Sequence, residues 1–249
     1  MEQPTTLERI DTPMMLADMP GLYLWFHGSL GDGLWNPGSQ GFSAQLNYDK
    51  SDLVDEDDGT AGCATLDDSF KATIGGMPIT SFHRGGWPFE FPNEPCSVPS
   101  VGLASIPAEL RRPGVQLVLS DSSRSITADM GEWFVTRTAE PIGVPDWHFR
   151  PGETVTLRWT PAIDLTTASP SVRFLGPTDP PAGHVEFTIT DPAAFTRTED
   201  TIAFTLPNRE LDGRMIIDFG GSPTIECGDL DCTSYGGQRV YRDDVVIAP

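Results

Sequence analysis

Lysine is nearly missing from this chain. Lys50 and Lys71 are its only lysines, so fourteen of the 16 basic residues are arginine, and 36 acidic residues bring the net charge to -20. A surface this negative repels phosphate backbones and anionic headgroups, which argues against nucleic acid or bare membrane as a partner. The arginine bias fits a GC-rich genome and points to a bacterial source.

Long apolar runs are missing as well. No stretch approaches the roughly 18 residues that a membrane helix needs, and residues 1–11 show neither a basic n-region nor an apolar h-region. Met1 is therefore expected to stand where a removed signal peptide or a lipidated cysteine would be, with residues 1–13 as a tail or tether. Helical periodicity is confined to Pro107–Arg112 and Pro192–Arg197, each good for a turn or two, and Pro113 ends the first.

Catalytic signatures are absent from the sequence. His27, His83, His148 and His184 show neither the HExxH nor the HxH spacing of a metal site. Gly28-Ser29-Leu30-Gly31 places serine second, where a nucleophile elbow needs it third. Asp146 and His148 are expected to share a strand face without a serine or cysteine elbow beside them, and no strand carries the alternating carboxylates of a sandwich glycosidase. These gaps favour a non-enzymatic binding or structural module, such as an adhesin, a scaffold or a subunit of an extracellular assembly, over a secreted hydrolase.

What is present is period-two alternation, the mark of strands with one buried face. Phe42, Ala44, Leu46 and Tyr48 share one parity, as do Val115, Leu117 and Leu119, then Ile126, Ala128 and Met130. Val155, Leu157 and Trp159 repeat the pattern, followed by Val185, Phe187 and Ile189 and by Ile202, Phe204 and Leu206. With 25 glycines and 23 prolines spread along 249 residues, the chain is expected to be all-β: two consecutive antiparallel sandwiches joined by short turns. Pro141 and Pro145 mark a boundary near residue 140, giving domains at 14–140 and 141–249. Both halves are acidic: 20 acidic and 8 basic residues up to 140, then 16 and 8. Gly75-Gly76, between Phe70–Ile74 and Met77–Thr80, predicts a tight hairpin, with Pro78 holding its strand to a sheet edge or a gap in the ladder.

The run Pro151-Gly152-Glu153, then Val155, Leu157, Trp159 and Pro161, resembles the opening of immunoglobulin-like or fibronectin-III-like sandwiches of exported bacterial proteins. That resemblance implies that the strand tryptophan fills the space between two sheets. In the first half, Cys63, the Ala72–Pro78 hairpin, Arg84-Gly85-Gly86 and Cys96 resemble uncharacterised exported lipoproteins of GC-rich bacteria, a resemblance that implies no activity. Cys227 and Cys232 depart from the inter-sheet pair of antibody-type domains.

Four cysteines allow three pairings. The short Cys227–Cys232 segment favours closure on itself, leaving Cys63 with Cys96; disulfides would place the protein in an exported setting, periplasmic, outer-surface or extracellular. The alternative is a cytosolic protein with four thiols.

Asp55, Asp57 and Asp58, with Glu56, form the densest carboxylate run, able to hold Ca²⁺ weakly although Gly59 falls where an EF-hand needs a ligand. Asp229 and Asp231 form a lesser candidate. Trp25, Trp133 and Trp159 lie in apolar strands and are expected in the core. Trp35, Trp87, Phe89 and Phe91 lie in Gly- and Pro-rich loops, where they would either cap a sandwich end or bind a protein or glycan at the cell surface. A calcium-dependent carbohydrate-binding module is the alternative function.

Overall fold

The computed structural model describes residues 8–29, 41–49, 53–55, 60–86, 96–135, 137–162, 169–176, 184–218, 224–235 and 239–249. The described residues are almost entirely strand and turn; their helical elements include short 3-10 turns at Ala108–Leu110, Pro145–Trp147 and Pro192–Ala194. The chain separates into two compact units. The first comprises Met1–Gly28, Gly41–Phe134 and Pro223–Tyr235; the second comprises Ser29–Gln40, Val135–Ser222 and Gly236–Pro249.

In the first unit a five-stranded sheet runs in the order Cys232–Tyr235, Tyr23–Ser29, Gly41–Asn47, Ser100–Leu103, Phe82–His83. A four-stranded sheet runs Ser125–Asp129, Gln116–Ser120, Lys71–Ile74, Met77–Ile79. Gly75 and Gly76 have φ of 54° and 83°, the paired positive angles of a primed turn. Met77–Ile79 lies at the sheet edge, where Pro78 withholds no needed donor. The alternation read from Phe42 to Tyr48, Val115 to Leu119 and Ile126 to Met130 matches the buried faces of these strands.

Residues 8–13, expected within a polar tail, instead belong to the strand Glu8–Met14, which pairs in parallel with Thr60–Leu66, from Glu8 opposite Thr60 to Met14 opposite Leu66. Parallel pairing satisfies its amides without an alternating apolar pattern, so hydrophobicity alone did not mark it. Residues 224–235, expected with the second domain, also join the first unit, because Cys232–Tyr235 pairs with Tyr23–Ser29.

The second unit is a sandwich. One sheet runs Thr138–Pro141, Thr154–Thr160, Thr201–Thr205, Thr196–Arg197; the other runs His148–Phe149, Arg239–Ile247, Leu211–Asp218, Ser171–Leu175, Val185–Ile189. In chain order these are the A, B, E, D strands facing G, F, C and an added C′, the strand order of an immunoglobulin-like domain. The first strand divides between sheets: after Pro141 the chain crosses over, helped by positive φ at Asp146 (64°) and Trp147 (55°), and His148–Phe149 pairs in parallel with Val246–Ile247. Asp146 therefore sits in a turn and shares no strand face with His148. Val155, Leu157, Trp159, Ile202, Phe204 and Leu206 from the first sheet meet Val172, Phe174, Met215, Ile217, Val245 and Ile247 from the second in one core. Trp159, 1% exposed, does fill the inter-sheet space. Val185, by contrast, is exposed, and Phe187 and Ile189 are half-buried, because their strand lies at a sheet edge.

Candidate functional site

The strand Tyr23–Ser29 has the sequence YLWFHGS, apolar on both parities until its end. Its inner parity is settled by packing: Leu24 and Phe26 are wholly buried, and Phe26 stacks on Phe42. Gly28 continues that inner face. A Cβ there would lie 3.0 Å from the Gly41 carbonyl oxygen and 3.1 Å from the Trp133 ring, so Trp133 occupies the space that a side chain would need. Trp133 is core, as expected.

The other parity must then face outward. Tyr23 is 41% exposed, Trp25 is 37% exposed and His27 is exposed, with the Trp25 and His27 rings edge-to-face at 6.2 Å. This corrects the expectation that Trp25 is core: a continuous apolar run does not reveal which face is out, and here the inward places are taken by Leu24 and Phe26. Same-face residues on a strand repeat about every 6.8 Å, so the three side chains follow one another along the outward face of the strand. Around the row the side chains turn polar. Ser43, Gln45 and Asn47 lie on the outward parity of the neighbouring strand, and Thr233, opposite Trp25 in the parallel pair, is exposed.

The Cys227–Cys232 disulfide helps hold this edge. Its bridge closes the segment ahead of Cys232–Tyr235, Asp229 pairs with Arg124 at 2.8 Å, and Glu226 bridges to Asp129. The Leu24 amide donates to the Asp231 carbonyl at 3.0 Å, fixing Asp231 beside the Tyr23 end of the row. Its own carboxylate is exposed and bonds to no described residue. The second bridge, Cys63–Cys96, also forms as expected. Beside it, the Tyr48 hydroxyl accepts the Ala64 amide at 3.1 Å. Burial raises the Tyr48 pKa, the Ala64 bond opposes that rise and the Asp11 charge adds to it.

Two turns of the same unit are held by aspartates. Burial pushes the Asp121 carboxyl upward, but hydrogen bonds from Ser123, the Leu16 amide and the Arg124 amide outweigh it and leave its pKa below the ordinary value. Asp67 is likewise lowered, chiefly by the Ser69 hydroxyl at 2.6 Å and the Ser69 amide at 2.8 Å.

The histidines are not brought together. His83 Nε2 lies 2.6 Å from Ser97 Oγ on an exposed sheet edge, beside an open groove lined by Phe82 and Ser100–Ala104; Ser97 is its one recorded partner among the described residues. His27, His83, His148 and His184 lie on separate strands or turns. Among the described residues no three His, Cys, Asp or Glu side chains are set to hold a metal ion. Asp57, Asp58, Trp35, Trp87, Phe89 and Phe91 lie outside the described residues, and Asp55 is placed only by its backbone, paired with Thr60. No helix among the described residues is long and apolar enough to cross a membrane.

No protein-family model matches the chain, and no curated protein does. Among solved structures, a chimeric titin Z1Z2–Z1Z2 tandem functionalised with a GRGDS exogenous peptide from fibronectin is similar at 11% identity and a TM-score of 0.20, covering 86% of this chain and 99% of its own. The immunoglobulin-like assignment rests on the strand order of the second unit.

Proposed function

We propose that this chain is a non-enzymatic, exported binding module that engages a partner at a cell surface through the outward row Tyr23, Trp25 and His27. The observation that carries the reading is the outward parity of that strand. Rigid aromatic rings on a sheet lose little conformational entropy on binding, and aromatic side chains dominate interface hot spots. The two disulfides support export, since such bonds persist in oxidising compartments. The resemblance to exported bacterial lipoproteins belongs to this proposal, and a calcium site at Asp55, Asp57 and Asp58 belongs to the alternative, a calcium-dependent carbohydrate-binding module; both stand on sequence alone.

The test compares labelled parent protein with a Tyr23→Ala/Trp25→Ala double variant on intact bacterial cells and on a glycan array. The parent should bind and the variant should lose at least tenfold in affinity, equivalent to about 1.4 kcal/mol, while melting close to the parent. Equal binding by both proteins rejects the row.

A further inference from the structure

Resting on that reading, we infer that the row recognises the cationic side chains of an extended segment of a partner protein, with lysine or arginine at alternate positions.

Geometry sets the form of the segment. An extended peptide presents same-side residues about every 6.8 Å, the repeat of Tyr23, Trp25 and His27. Alternate side chains of a peptide running along the strand therefore meet successive rings without a change of register.

Charge sets its chemistry. Trp is the best cation–π acceptor, and Tyr follows. At the Tyr23 end of the row, the exposed Asp231 carboxylate bonds to no described residue and offers a point of charge pairing. Nearby Asp229 is already engaged by Arg124. The first unit as a whole carries 21 acidic and 7 basic residues, -14 of the chain's -20, which draws cations and slows the approach of anions.

The same facts argue against a second copy of this chain as occupant. Two copies at -20 repel each other, and stable pairs bury about 800 Å² per partner, more than two partly exposed rings and a histidine supply. A slender basic segment needs less area and gains from the field.

The experiment is titration calorimetry of the full chain with three probes. One is a peptide of alternating lysine and threonine, one the same peptide with glutamate for lysine, and one a neutral β-glucan hexasaccharide. The lysine peptide should bind, and more weakly as salt screens the charges; the glutamate peptide should not. Trp25→Ala should weaken lysine-peptide binding at least tenfold and Asp231→Asn several-fold. Glu199→Gln, an equal charge change on an exposed residue of the second unit, should leave it unchanged.

Equal losses from Asp231→Asn and Glu199→Gln, with Trp25→Ala without effect, would show bulk attraction and overturn the inference. Hexasaccharide binding in place of the lysine peptide, abolished by Trp25→Ala, would keep the row as a binding site and overturn its cationic partner. Binding of none of the three probes would also overturn it, while the cell-binding comparison decides the row independently.

Discussion

The Asp121 carboxylate accepts the Leu16 amide at 2.5 Å, joining two segments 105 residues apart. The same carboxylate takes the Ser123 hydroxyl at 2.6 Å and the Arg124 amide at 3.0 Å, so one side chain closes the Ser120–Ser125 hairpin and ties it to the segment after the first strand. Removing it leaves the Leu16 amide without that acceptor. Asp121→Ala should therefore destabilise the protein by about 1 to 3 kcal/mol, read from urea unfolding.

Acid should act through the same group and through Asp67. Both carboxyls have folded-state pKa values lowered below the ordinary aspartate range, so the stability they contribute is present above an unfolded-state pKa of about 3.9. It is lost as pH falls through their lower folded values. Unfolding midpoints should decline below about pH 4, and Asp121→Asn should flatten that decline. An Asn variant with an unchanged acid slope would remove Asp121 from this account.

The two bridges should differ in weight. Linking Cys63 to Cys96 across a sequence separation of 33 restricts the unfolded chain more than linking Cys227 to Cys232 across a separation of 5. The chain-entropy estimate is roughly 3 to 4 kcal/mol for the first and roughly 2 for the second. Denaturant unfolding of the Cys63→Ala/Cys96→Ala and Cys227→Ala/Cys232→Ala variants measures both. A larger loss from the short bridge would mean that its main role is to fix Cys232–Tyr235 against Tyr23–Ser29.

Much of the fold was legible because alternation is a local property. Phe42 to Tyr48, Leu117 to Leu119 and Val155 to Trp159 bury the parity that their sequence marks, and Gly75-Gly76 turns as its type demands. Long-range pairing was not legible. Nothing in Cys232–Tyr235 says that it lies beside Tyr23–Ser29, and nothing in Glu8–Met14 names Thr60–Leu66 as its parallel partner. The aromatic row was hidden for a related reason. In YLWFHGS both parities are apolar, and the one local hint is that Tyr23 and His27, which carry polar tips, share the parity of Trp25.

Gly213 marks a place where a sheet tolerates no side chain. Its φ is 153°, the ladder with Arg239–Ile247 slips register between Gly213 and Met215, and a Cβ would lie 2.2 Å from the Leu175 carbonyl oxygen. The obstacle is backbone on the neighbouring strand, which cannot rotate away. Gly213→Ala should destabilise the second unit by about 2 kcal/mol or more, whereas Gly114→Ala, with φ of 69° but open space around it, should show only the roughly 1 kcal/mol of an unfavourable backbone angle. Thermal melts of the two variants rank them directly, and equal shifts would contradict the clash.

Trp25 and Trp159 both lie within strands, Trp25 between Leu24 and Phe26 and Trp159 between Arg158 and Thr160, and the structure gives them opposite environments. Trp159 is 1% exposed among Leu157, Phe204 and the facing sheet, so Trp159→Ala opens a cavity and should lower stability by about 3 to 5 kcal/mol. Trp25 is 37% exposed on the outward parity, so Trp25→Ala leaves the core whole and should shift stability by about 1 kcal/mol or less. Acrylamide quenching supplies a second readout, since an exposed indole is accessible to the quencher and a buried one is shielded. Trp25→Ala should remove a readily quenched component of the emission, and Trp159→Ala a protected one. If Trp25→Ala instead melted as low as Trp159→Ala and left quenching unchanged, Trp25 would be a core residue and the outward row would lose its central ring.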